Sequence, residues 1–548
     1  MLRSLTLAAL LASSAAYADE VFVVPQVTDV TVYLQGASVT RQLSTDLPAG
    51  QHTIRLPYED DSDGPPRVSG PEGVTIGAMR LVPNTGIDPI SAETPVQTAA
   101  RARVEAAKDA LQALEDKVVL GQARVQAEGA KNDYLRSLTG ASLTGIDAES
   151  ARAASNMVAD ELAASWTAQY EASIALRVDE KARDDARKTL TAAEAELRAL
   201  APPSGPINVL ELSVTTATAG PVDLTIESLT YGASWVADYA LDLTRGEDAK
   251  VAMERKVVMQ QTTDALWSDV NLTLSTANPF AQVDPRDPYP NLASIAAKGK
   301  GGFSYAPTAS VQSDLSRSAQ GVSDIIAESV IVEEVAVAVI EGLSVTYDYP
   351  TPISLAPTGE ALILALDDFD FDAREFNRAV PRLDDTAFLM AEFTNSTPEP
   401  FLPGQMSVSR DGVFVGRSAM ELVPAGGKAE VSFGTLEGLR LEYKLLDNDT
   451  GDRGFLVSSS TRVQQMEFSV ENLLDKVETV QTLFSLPFAE QEDLEVSVST
   501  RPNFDETDFE QRRGVSVWTL EVGPGETKTV RVNVEMNWPE GQQLNWRP

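Results

Sequence analysis

Chemistry needs side chains of the right type at the right spacing, and this sequence offers few. The 548 residues include one histidine, His52, and no cysteine. A single histidine excludes HExxH metal sites, His-rich zinc sites and every catalytic arrangement that needs a second His or a Cys. His52 can in principle serve a serine nucleophile, but it falls in a run that reads as a strand, where a structural role is expected. The patterns G-x-S-x-G, S-x-x-K, G-x-x-x-x-G-K-[ST] and G-x-G-x-x-G are absent.

Carboxylates are abundant. Asp367-Asp368-Phe369-Asp370-Phe371-Asp372 puts Asp368, Asp370 and Asp372 on one face if extended. Such a face can bind calcium or supply an acid/base pair. A charged, solvated loop or edge strand explains the same residues and is the expectation. Asp447-Asn448-Asp449-Thr450-Gly451-Asp452 resembles a calcium loop, but its glycine comes one position early and no Glu closes it. A hairpin turn between residues 441–446 and 455–459 accounts for it, and Glu59-Asp60-Asp61-Ser62-Asp63-Gly64 reads the same way. Trp235, Trp267, Trp518, Trp538 and Trp546 lie in β contexts, which favours core packing over sugar stacking. No catalytic, cofactor-binding or metal-ligating residue is assigned, and no cofactor is implied.

The elements that would position any site change character along the chain. Residues 21–83 show short alternating runs at 30–34, 39–43, 52–56 and 74–81, separated by turn residues, as in a small sandwich. Residues 97–200 are rich in Ala, Glu, Arg, Lys and Leu and lack proline. Val104, Ala107, Leu111, Leu114 and Val118 step by threes and fours as a heptad seam, and Val125 and Leu135 keep its register. Thr139 to Gly145 interrupts the pattern with turn chemistry. A second helix then runs past Met157, Leu162, Trp166, Tyr170 and Leu176 to Leu190, Leu197 and Leu200, before Pro202-Pro203. Each arm would reach roughly 60 Å and is expected to project. Strand patterns return from residue 208, interrupted by a low-complexity stretch read as a disordered loop.

The fold class expected is therefore mainly β with a long α-helical insertion: β-sandwich domains plus an antiparallel coiled-coil hairpin. The segments are a signal peptide at 1–18, an N-terminal β domain at 19–96, the helical hairpin at 97–201, a central β domain at 202–460 with its disordered loop at about 280–327, and a C-terminal β-sandwich at 461–548.

Composition sets the address. Arg3, the apolar run from Leu5 to Ala16 and Ala16-Tyr17-Ala18 fit a cleaved secretory signal. The run is too short to span a bilayer of ~30 Å. The periplasm is expected, with secretion as the alternative, and no integral membrane segment remains after cleavage. With 44 Lys+Arg against 81 Asp+Glu, the formal charge is −37. Nucleic acid and anionic membrane surfaces are poor partners for such a chain. Without cysteine, no disulfide holds the fold.

Several strings resemble the mucoidy inhibitor A family, whose members carry paired domains of unknown function around a coiled coil. Val30-Thr31-Val32-Tyr33, Gly36-Ala37-Ser38-Val39-Thr40-Arg41 and Leu47-Pro48-Ala49-Gly50-Gln51-His52 are similar to its N-terminal domain. Gly232-Ala233-Ser234-Trp235 through Tyr239, Trp267-Ser268-Asp269-Val270, Leu272 to Ala277 with Pro279, Leu402-Pro403-Gly404 and Gly412 to Gly416 are similar to its larger domain. Val236-Ala237-Asp238 and Asp264-Ala265-Leu266 depart from it. The resemblance implies an effect on exopolysaccharide production and supplies no catalytic residues. The functional expectation is a non-enzymatic envelope scaffold or adaptor. It would engage protein partners through the hairpin and exposed strand edges, and a homo-oligomer is compatible with this. A carbohydrate-binding or carboxylate-dependent carbohydrate-active protein is the alternative.

Overall fold

The alternating valines at the start of the chain form a strand, Gln26–Tyr33, with Val30 and Val32 buried. This computed structural model describes residues 20–58, 63–139, 147–246, 248–263, 265–282, 284–285, 337–341, 344–453, 459–539 and 542–546. The expected signal peptide at 1–18 and nearly all of the expected disordered loop lie outside them.

The chain divides into two compact units. The first comprises Met1–Trp235, Met259–Pro285 and Thr346–Leu362. Here Gln26–Tyr33 pairs antiparallel with Ala37–Leu47 and parallel with Trp267–Ser275. Gly36 turns the hairpin at φ +82°, and a Cβ there would strike Phe280 and the Thr230 carbonyl, so the position requires glycine. A four-stranded sheet runs in the order Glu20–Phe22, Gly50–Pro57, Ile207–Thr216, Val74–Thr85. Residues from both sheets share one core, with Leu43, Ile54, Leu212, Val214, Leu224 and Ile226 at 2% exposure or less.

This unit also carries the two helices, α1 (Pro95–Thr139) and α2 (Ala148–Ala199). α1 starts with a capping box: Thr94 Oγ1 accepts from the Gln97 backbone, and Gln97 Oε1 accepts from the Thr94 N–H at 2.9 Å. Pro95 occupies the first helical position, where no donor is lost. Gln97 also donates to the Leu200 carbonyl at 2.9 Å, tying the start of α1 to the end of α2. Asp147 caps α2 by accepting from Glu149 and Ser150.

The expected antiparallel coiled-coil hairpin is not upheld. A heptad coiled coil needs a continuous seam of large apolar knobs. An apolar cluster common to the helices lies at their base: Ala100, Val104, Ala193 and Leu197, with Leu190 and Leu200 against them. Farther along, Gly121 faces Leu176, Gly129 faces Gln169, Glu128 accepts from Ser165 at 2.9 Å, and Asn132 donates to Gln169 at 2.8 Å. Small and polar groups thus interrupt the row of apolar residues between the buried Val118 and Leu135. Most of the break expected at Thr139 to Gly145 lies outside the described residues.

The second unit comprises Val236–Val258, Arg286–Val345 and Ile363–Pro548. Most of its strands belong to a thirteen-stranded sheet that includes the order Val413–Met420, Gly404–Arg410, Ala233–Thr244, Lys250–Gln261, Leu362–Ala379, Thr386–Thr394, Lys428–Arg453, Ser459–Asn472, Thr527–Pro539, Glu495–Arg501. Central and C-terminal strands thus join one hydrogen-bonded sheet. Its distal core stacks Phe468 on Phe484 with centroids 5.1 Å apart and sets Trp518 edge-on to Phe468.

Candidate functional site

His52 is buried, and its Nε2 lies 2.8 Å from the Pro48 carbonyl oxygen. Thr216 Oγ1 donates to the same carbonyl. The lone histidine closes its own turn and faces no nucleophile.

The carboxylate run lies in the first half of Leu362–Ala379, a strand that neighbours Lys250–Gln261 and pairs with Thr386–Thr394 only from Ala373 onward. Alternation splits it. Asp368, Asp370 and Asp372 are exposed on one side, while Phe371 is buried on the other. Asp368, Phe369 and Asp370 line an open groove of about 320 Å³ with Asp242, Glu254 and Ser409. No group of three metal-ligating side chains occurs among the described residues. Asp238, on the strand Ala233–Thr244, is pushed above the usual carboxylate range by burial, against the pull of Lys256 and Arg417.

Asp367 turns inward, and its role was not legible from the run it opens. It receives Arg255 Nε at 2.6 Å and also Arg255 Nη2, which reaches Glu399 at 2.6 Å. The Arg255 and Glu399 side chains are 4% and 5% exposed. The guanidinium lies 5.1 Å from the Phe369 ring and 6.0 Å from Phe401. Asn395 shapes the loop that delivers Glu399 by donating to the Glu399 and Val423 carbonyls. Tyr239 closes the wall by donating to the Leu402 carbonyl at 2.8 Å. This cluster joins two strands to one loop, with one guanidinium hydrogen-bonded to two carboxylates, and a buried ion cluster of this kind ties elements together.

Asp447 to Asp452 continues the strand Lys428–Arg453, paired residue by residue with Ser459–Asn472. The pairing runs to Arg453 opposite Ser459, so residues 447–452 are strand and not the hairpin turn they were read as. Glu59 to Ser62 lie outside the described residues.

The other surface with chemical character is on α2. Trp166, Tyr170, Ile174 and Val178 recur every four residues and are 46%, 64%, 41% and 63% exposed. A four-residue repeat advances slowly around a helix of 3.6 residues per turn, so the side chains form one winding stripe. It starts beside α1, where the Arg136 guanidinium lies 5.2 Å from the Trp166 ring, and passes to open surface. Trp166, Tyr170 and Met157, which the sequence reading placed along the second helix, are exposed on it. They point out because Leu162, Ser165, Leu176, Ala193 and Leu197 hold the more buried positions.

Trp235, Trp267 and Trp518 are 1%, 0% and 1% exposed. Trp235 donates to the Ser275 carbonyl at 3.2 Å and meets Tyr347 edge-on. The recognisable strings around Gly232 and Trp267 are thus brought together to build core.

A family model described as "Domain of unknown function (DUF4139)" matches residues 224–540, more than half of the chain. The chain belongs to this family. The DUF4139 region is preceded by a match at residues 30–128 to an "N-terminal domain of unknown function (DUF4140)". The chain is also similar to Protein F37C4.5 of Caenorhabditis elegans, at 23% identity over 357 residues, covering 60% of this chain and 62% of that protein. It thus spans less than two thirds of that relative's length. No solved structure matches. In this DUF4139 chain no described helix is long and apolar enough to cross a membrane.

Proposed function

We propose that the chain is a non-enzymatic, exported envelope protein that works as a scaffold or adaptor, with α2 as its protein-binding surface. One observation carries this reading: the row of four exposed apolar side chains from Trp166 to Val178, which runs from the Arg136 contact at Trp166 onto open helix surface. Export is supported by the residues at 1–18, which have the n-region, apolar run and A-x-A site of a secretory signal. An influence on exopolysaccharide production is supported by the strings resembling the mucoidy inhibitor A family. The carbohydrate-active alternative calls for two convergent carboxylates in a deep cleft beside a tryptophan. The groove at Asp368 and Asp370 is open, and its aromatic side chain is Phe369.

The test is a photo-reactive amino acid placed at Tyr170 in the full chain, made in its native cell, with a matched probe at Asp109 on α1. Crosslinks to polypeptide at position 170 that fade when Ile174 and Val178 are changed to serine are expected. No polypeptide adduct at position 170, or equal labelling at both positions, would overturn the reading.

A further inference from the structure

We draw no further inference here: the strongest candidate, the open groove of the second unit lined by Asp242, Glu254, Asp368 and Asp370, is an acidic cluster, and nothing else among the described residues points to a ligand there.

Discussion

Arg255→Met keeps a long side chain at the centre of the buried triad while removing its charge. Asp367 loses two contacts with the guanidinium and Glu399 loses one at 2.6 Å. Glu399 is left 5% exposed and Asp367 23% exposed, so water replaces those contacts poorly at the first and partly at the second. Removing one partner of a buried ion pair costs about 3–5 kcal/mol, and the partial exposure of Asp367 argues for the lower half of that range. Loss of the guanidinium beside Phe369 adds about 0.5–1 kcal/mol. The sum is about 4 kcal/mol, or about 8–16 °C in Tm for a unit of this size. The triple variant R255M/D367L/E399M buries no unpaired charge and should recover most of the loss. Calorimetry with parallel urea unfolding reads both. A single variant within about 1 kcal/mol of wild type, or a triple variant no better than the single, would refute the account of Arg255 as a structural ion.

Glu392 is held below the usual carboxylate range by Lys428 at 3.0 Å and then by Arg374 at 3.1 Å. A depressed folded value gives stability that is present above the unfolded value of 4.5 and fades as pH falls through the folded one. E392Q should therefore cost about 1 kcal/mol at neutral pH, with the two urea midpoints converging below pH 4.5; a gap that persists to acid pH would contradict this. Gly404 lies opposite Ala237 in the parallel pairing, and a Cβ there would be driven into the Ala237 carbonyl oxygen. G404A should lower the urea midpoint by the equivalent of about 1–3 kcal/mol with an unchanged m-value, and an unaffected midpoint would contradict that packing.

Periodicity made the elements legible but left their partners hidden. The valines at 30 and 32 announced a strand, and the proline-free stretch after residue 97 announced helices. The steps counted on α1 do mark its inner face, with Val104, Ala107, Val118 and Leu135 buried, whereas on α2 three- and four-residue steps occur on both faces. Leu162 and Leu176 keep the inward register, while Trp166 and Tyr170 have equally regular spacing on the outside. The thirteen-stranded sheet was invisible because its pairings, such as Leu362–Ala379 beside Lys250–Gln261, join segments far apart in sequence. The charged triad was hidden for the same reason. Asp367 looked like one more member of an acidic run, and nothing near it marked Arg255 or Glu399. His52, by contrast, was read as a structural residue of its strand, and its bond to Pro48 places it there.

The parallel pairing of Gln26–Tyr33 with Trp267–Ser275 has a consequence in time. Asn271 donates to Asp29 across a sequence separation of 242, so a sheet begun at the first strand waits for a neighbour made much later. At ~5–20 residues per second, that wait during synthesis is about 12–50 s. Until then Gln26–Tyr33 offers an unfinished edge to any passing strand. The late strand falls within the DUF4139 match, and the DUF4140 match begins inside the early one, at residue 30. The two regions are therefore halves of one folding event, and a gene that parted them would yield two incomplete sheets, each lacking the edge the other supplies.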